Sequence, residues 1–225
     1  MDRNIIVTGS TGNLGRAVIA KFKREGYQVI ALVEPGSDAD LDEADDVYQV
    51  DVTDEQAVLA FAKEYHLQYG ELDCLALLVG GFAMGSLEET SQADLSRMFS
   101  LNFFSAFNMV KAFLPAMKRA NQGCFLFVGA KPSLEKATGT EALAYALSKG
   151  LVIDLAEYTA HAVSGTQIRS HVFVPSIIDT PQNRESMPEA DFTQWVSPSD
   201  IAEAMHYAVN TGALRNMTFK LYGGV

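Results

Sequence analysis

Seven short apolar runs, most of them rich in β-branched residues, alternate with long helical patterns from one end of the chain to the other. RNIIVTG (3–9), QVIALVE (28–34), DVYQV (46–50), LDCLALLV (72–79), CFLFVG (124–129), IRSHVFV (168–174) and MTFKLY (217–222) read as strands. Helical stretches fall between them at about 13–25, 53–68, 91–119, 140–163 and 198–210. Strands separated by helices pair in parallel, because each helix carries the chain back over the sheet to start the next strand. The rhythm therefore predicts an α/β fold, a doubly wound parallel sheet of about seven strands with helices on both faces. The strands are apolar almost throughout, as expected when both faces are covered. With no linker or repeat in sight, residues 1–225 make one domain.

Two segments break the rhythm. EPGSDADLDEADD (34–46) is an acidic loop after the second strand. PSIIDTPQNRESMPEADFTQWVS (175–197) is long and punctuated by proline, and it carries Met, Phe and Trp. A loop of that length in a compact domain is usually a lid or binding loop. It also leaves a strand's carboxyl end, where open α/β sheets bind ligands. Residues 176–197 are the expected substrate lid.

The first strand runs into TGSTGNLG (8–15) and then a helix, a Rossmann-like arrangement that places the nucleotide half in residues 1–90. Gly9, Gly12 and Gly15 permit a tight turn and close approach of a pyrophosphate. Thr8, Thr11, Asn13 and Leu14 complete the cradle, and the helix's N-terminal N–H groups face the phosphates. Glu34 lies at the end of the second strand, where a carboxylate accepts from adenosine ribose hydroxyls and repels a 2′-phosphate. At about 5 Å and an effective dielectric near 20, each phosphate charge is disfavoured by roughly 3 kcal/mol. NAD(H) is thus expected over NADP(H), with NADP(H) kept open by Arg16, in the helix's first turn. Asp51 either accepts from the adenine amino group, with Val52 stacked beside it, or caps the helix beginning at Thr53. Val79, Gly80 and Gly81, in VGGFAMG, bring backbone close to a ligand at the fourth strand's end.

Composition excludes several classes. A net charge of -11 leaves no basic footprint for nucleic acid. No apolar run approaches the ~20 residues of a membrane span, so no membrane is expected and a cytoplasmic protein is the default. Cys74 and Cys124 sit in apolar strands and read as small core hydrophobes. His66, His161, His171 and His206 have no ligand spacing, so no metal site is expected.

The catalytic and substrate half, 91–225, holds Tyr145 and Lys149 at i and i+4 on one face of a helix. A free phenol has a pKa near 10, and a neighbouring ammonium is expected to lower it by about 2–3 units. Lys149 can also hold cofactor ribose hydroxyls. With TGSTGNLG, Asp51, Asn102 in SLNFFSAF, YALSK and VPSIIDTP, the chain resembles the short-chain dehydrogenase/reductase family over its whole length. The resemblance implies that Tyr145, Lys149 and Asn102 are catalytic, with Asn102 ordering water and backbone behind the lysine. It implies that Pro175 and Thr180 meet the cofactor, Thr180 at the nicotinamide amide. Asn102 otherwise reads as an interior helix residue satisfied by a carbonyl.

The departures carry information. Ala130 stands where the family keeps a serine, and LLVG replaces NNAG. Ser133, 12 residues before Tyr145, is the candidate substitute hydroxyl. GAKPSLEKATGT, VGGFAMG and the lid block resemble a divergent pterin-reducing branch of the family that carries GAK in place of the serine motif. This implies NADH-dependent reduction of quinonoid dihydropterin to tetrahydropterin by a homodimer, with Tyr145 as proton donor. The product's ring delocalisation spreads the charge that a serine would otherwise help to hold. Phe82, Ala130, Tyr145, Arg184, Met187 and Trp195 are the expected substrate contacts, although the lid residues could instead pack against a partner subunit. Glu189 and Asp191 read as solvated or capping. The 91–119 and 140–163 helices suit a two-fold interface, in a homodimer or homotetramer. The alternatives are another reductase of this fold, acting on a quinone or activated carbonyl, and a redox sensor that binds NAD(H) without turnover.

Overall fold

Burial sorts the apolar runs into a seven-stranded sheet. Its strands are β1 (Asn4–Val7), β2 (Gln28–Val33), β3 (Asp46–Gln49), β4 (Cys74–Leu77), β5 (Cys124–Val128), β6 (Arg169–Pro175) and β7 (Thr218–Leu221). The structure, a computed structural model, describes residues 3–224; residues 1, 2 and 225 of the expected domain lie outside the described residues. The order is β3-β2-β1-β4-β5-β6-β7, every pair parallel. Ile5 of β1 stands between Val29 and Cys74.

Period-2 alternation sends neighbouring residues of the central strands into opposite cores. Ile6, Leu75, Phe125 and Phe127 meet Phe61, Tyr65, Phe113 and Val152, which come from α2 (Glu55–Gln68), α4 (Ser105–Ala120) and α6 (Leu143–Ala162). Ile5, Val7, Ala76 and Leu126 meet Val18 and Phe22 of α1 (Asn13–Arg24) and Ile201 and Met205 of α8 (Pro198–Asn210). Each large apolar side chain buried this fully contributes roughly 1.5–3 kcal/mol. The edge strands depart from the all-apolar expectation. Residues of β3 and β7 alternate between half-buried and exposed, because each edge pairs on one side only.

Helix boundaries also differ. The 91–119 stretch is α3 (Gln92–Met98), a π-helical turn over Phe99–Phe104, and α4. The expected start at Thr53 moves to Glu55, since Asp54 caps α2 by accepting from Gln56 and Ala57. The loop after β5 holds a short α5 (Lys131–Leu134) and a 3-10 turn over Lys136–Thr138. The expected lid contains α7 (Pro181–Ser186) and a 3-10 turn over Phe192–Gln194. A bridge between Ile178 and Val196 joins its two ends to each other.

Candidate active site

β1 lies between β2 and β4, so the connections leaving the carboxyl ends of β1 and β4 diverge and open a crevice there. The glycine-rich turn fills its floor. Gly9 has φ 65°, and a Cβ on Gly15 would lie 2.2 Å from the Gly9 carbonyl oxygen, so neither position accepts a side chain. Gly12 is the N-cap of α1 and offers no capping side chain. The helices beginning after Asp54, Ser91, Thr180 and Ser197 are all capped by a side-chain oxygen. At α1 the N–H groups of Asn13, Leu14 and Gly15 find no acceptor in the described residues. Bare N–H groups at a helix's positive end fit a bound pyrophosphate. Thr8 has an inward role. Its hydroxyl oxygen accepts from the N–H groups of Leu78 (2.9 Å) and Val79 (3.3 Å), fastening β1 to β4. Thr11 is exposed at the rim.

At the adenosine end, Glu34 is exposed just past β2. Arg16 donates to the carbonyls of Thr11 (3.3 Å) and Asp40 (3.0 Å), so its guanidinium lies between the glycine turn and the acidic loop. Asp51 does not cap α2. Its Oδ1 accepts from the Thr53 N–H (2.9 Å) and hydroxyl (2.7 Å), and its other oxygen is free. Val52 is 6% exposed and belongs to the core, so little of its side chain is left for stacking.

The chemical centre lies beyond β4 and β5. Asn102, in the π-helical turn, is buried, with Oδ1 accepting from the Gly81 N–H (2.9 Å). Its Nδ2 donates to the Gly81 carbonyl (3.1 Å) and to Ser148 Oγ (2.8 Å), and Ser148 donates to the Tyr145 carbonyl (2.8 Å). The extra residue per turn in a π-helix re-aims a side chain without ending the helix. Lys149 Nζ donates to the Val128 carbonyl at 2.9 Å. A Cβ on Gly80 would lie 2.6 Å from Asn102 Oδ1 and 3.1 Å from Lys149 Nζ, which brings the β4 end, the π-helical turn and α6 within contact. Ser148 and its link to Asn102 are the connection missed in the sequence. Ser148's place three residues after Tyr145 was the available signal.

The electrostatics overturn one expectation. Burial pushes the Tyr145 phenol up to about 12, and the same burial pulls Lys149 down from 10.5 to about 8. The two shifts share one cause, desolvation of the charged form, and no ion-pair effect of Lys149 offsets it at Tyr145.

On the substrate side, the Phe82 ring stands edge-on to Tyr145 with centroids 5.0 Å apart, and Phe82 is largely exposed. Ala130 is 3% exposed. Ser133 is buried, and its hydroxyl donates to the Ala130 carbonyl at 2.6 Å. Pro175 ends β6 opposite Leu221. Thr180 caps α7, its hydroxyl accepting from the Asn183 N–H (3.2 Å). Arg184 is held by Asp179 at 2.6 and 2.7 Å and lies 4.7 Å from the Phe192 ring centre. Trp195 is buried against Phe192, while Met187 is half-buried. Arg184 and Trp195 thus have partners within the lid itself. Glu189 is exposed, and Asp191 caps the 3-10 turn by accepting from the Thr193 N–H. Gln182 of the lid, unnoticed in the sequence, accepts from Asn13 Nδ2 (2.9 Å) and ties the lid to the nucleotide turn.

Known proteins resemble this arrangement. The model of the family described as short chain dehydrogenase matches residues 3–191. A dihydropteridine reductase of Dictyostelium discoideum is 25% identical over 210 residues, spanning 91% of this chain and 87% of its own. A 2-(R)-hydroxypropyl-CoM dehydrogenase of Xanthobacter autotrophicus is 31% identical over 205 residues, 84% of this chain and 80% of its own. The solved structure "ElxO with NADP Bound" superposes with a TM-score of 0.87 at 21% identity, covering 100% of this chain and 98% of that one.

Proposed function

The chain belongs to the short chain dehydrogenase family, and from that premise we propose that it is an NADH-dependent reductase of quinonoid dihydropterin, yielding tetrahydropterin. The family makes it an oxidoreductase with an NAD(P)-binding Rossmann fold. When bound, the dinucleotide supplies the hydride. Its pyrophosphate would rest on the free N–H groups of Asn13, Leu14 and Gly15, and its adenosine hydroxyls would meet Glu34. Asp51's free oxygen would meet the adenine amino group, and Thr180 and Pro175 would flank the nicotinamide end. Glu34, with an acidic loop behind it, favours NADH, whereas Arg16 is the cation available to a 2′-phosphate.

Tyr145 is the proton donor. At a pKa of about 12 its phenol stays protonated across the physiological range. Lys149, in the next turn of the same helix, stabilises the phenolate that remains after transfer, and Asn102 holds Gly81 and the Tyr145–Lys149 turn in place. Phe82, edge-on to Tyr145, offers an apolar wall for a flat heterocycle, with Met187 at the lid.

One observation carries the substrate class: the cleft has one catalytic hydroxyl. Ala130 replaces the serine, and the Ser133 hydroxyl is donated to the Ala130 carbonyl. Reduction of a ketone localises charge on one oxygen and benefits from two donors, whereas a pterin spreads it over the ring. The likeness to the Dictyostelium dihydropteridine reductase supports the same substrate. A second reading, reduction of a quinone or activated carbonyl, draws on the higher identity to the hydroxypropyl-CoM dehydrogenase. We expect a homodimer or homotetramer through α4 and α6, where Phe107, Leu147 and Tyr158 are exposed. A reducing, cytoplasmic setting suits the adjacent free thiols of Cys74 and Cys124.

The test generates quinonoid dihydropterin in situ and follows NADH loss. Rapid loss that falls about 10²–10⁴-fold in Tyr145→Phe, with NADH affinity retained, supports the proposal. Loss with quinones alone moves the assignment to the second reading. An unchanged rate in Tyr145→Phe refutes the role of the phenol.

A further inference from the structure

At the amino-terminal end of the sheet, opposite the cleft, the segments before β1, β2, β4 and β5 and the start of β6 surround a cavity of about 290 Å³. Its walls include Arg3, Tyr27, Asp73, Gln122, Arg169 and Arg215, none of which takes part in the proposed reaction. The Arg3 guanidinium lies 4.3 Å from the centre of the Tyr27 ring and donates to Asn210 Oδ1. Arg169 donates to the carbonyls of Ala208 (3.1 Å) and Val209 (2.9 Å) at the end of α8, and Arg215 donates to the Thr166 carbonyl. Carbonyls orient these guanidiniums but leave their charges uncancelled. None of the three forms an ion pair within 4.0 Å among the described residues, in a chain with 28 acidic and 17 basic side chains.

Asp73 is the single acid of the lining, and it accepts from the Asn4 N–H (2.9 Å) and the Gln122 amide (3.4 Å). Tyr27 is 2% exposed, and its ring backs the Arg3 guanidinium.

We propose that this cavity is a second binding site, for a small dianionic oxyanion such as phosphate or a phosphate monoester. Arg3, Arg169 and Arg215 hold its charge, and the Tyr27 ring keeps Arg3 in place. Guanidiniums bind such oxygens through paired N–H groups, which suits residues that keep donors free after orienting on carbonyls. Three guanidiniums less the Asp73 carboxylate leave two net positive charges, matched to a dianion.

Calorimetric titration of the full chain with inorganic phosphate, and separately with methyl phosphate, tests this at low ionic strength. The wild type is expected to bind at least one of the two at millimolar concentration or below, and the stronger ligand identifies the free ion or the ester as the better fit. Arg3→Gln with Arg215→Gln is expected to weaken binding at least about tenfold, since each removes a charged hydrogen bond. Melting temperature in phosphate-free buffer shows that the variant is folded. Absence of binding to the wild type overturns the site. So does binding that survives in the arginine variant, or binding abolished by Gly12→Asp, which would place the anion at the nucleotide turn.

Discussion

Replacing Lys149 by methionine is expected to abolish turnover and, at neutral pH, to leave the protein at least as stable. Methionine keeps the unbranched stem and much of its volume, so the change isolates the ammonium. Burial lowers Lys149 from 10.5 to about 8, a difference worth about 3 kcal/mol at roughly 1.4 kcal/mol per pH unit. Because the folded-state value is the lower one, the unfolded chain holds this proton more tightly, and folding is penalised wherever that proton is bound in the unfolded state. The penalty is full below about pH 8, shrinks as pH rises from about 8 towards 10.5, and vanishes above. Methionine removes it but deprives the Val128 carbonyl of its donor at 2.9 Å, a pH-independent cost of about 1–3 kcal/mol. The net gain near pH 7 is therefore roughly 0–2 kcal/mol, or up to a few degrees in melting temperature for a chain of this size. The sharper measurement is the pH dependence. Urea unfolding at about pH 7 and about pH 9.5 should show the variant's advantage falling by roughly 2 kcal/mol. A stability difference that stays constant between those pH values would refute burial as the cause of Lys149's low pKa.

Three further outcomes follow from the same geometry. Glu34→Arg should raise kcat/KM for NADPH relative to NADH at least about tenfold, because one repulsive charge becomes attractive near Arg16; steady-state kinetics with both cofactors checks this. Asn102→Ala leaves the buried Gly81 N–H without its acceptor, and should lower stability by about 2–4 kcal/mol by urea unfolding while reducing turnover. Turnover of the wild type should fall as pH rises through about 8, where Lys149 loses its proton, and a pH–rate profile flat to about pH 10 would contradict this.

What could be read in the sequence is what local rules impose. Gly9 and Gly15 are legible because one backbone needs φ 65° and the other has a carbonyl 2.2 Å from any Cβ. Tyr145 and Lys149 are legible because four residues make about one helical turn. The π-helical turn is not, since SLNFFSAF continues an ordinary apolar helical pattern and its extra residue leaves no compositional mark. The phenol's pKa was misjudged for a related reason. The ammonium four residues away is visible in the sequence, whereas burial depends on what the rest of the fold lays over both groups. The pairing of Arg184, an expected substrate contact, with Asp179 five residues earlier is likewise set by the fold of the lid. Half-exposure of β3 and β7 follows from their edge positions, which strand order settles and hydropathy does not.

These same particulars separate what is fixed in this site from what is adjustable. Tyr145, Ser148, Lys149 and Val152 share the inward face of α6, so the packing of Val152 into the core also sets the height of the phenol and the amine. Ser148 joins that face to Asn102, and Asn102 holds the backbone of Gly81, so three elements take up one arrangement together. A change in chemistry is therefore easiest where no such ties exist. Ala130 is such a place, because the adjacent short helix α5 is held by the Ser133 hydroxyl donating back to the Ala130 carbonyl and, among the described residues, makes no hydrogen bond to Tyr145 or Lys149. The lid is another, joined to the nucleotide turn by the exposed Asn13–Gln182 pair. Restoring the hydroxyl by Ala130→Ser would add a small group at a buried position, within reach of the Ser133 that already bonds the Ala130 carbonyl. If charge delocalisation is why the serine can be absent, that variant should gain activity on simple activated ketones and gain nothing on a quinonoid pterin.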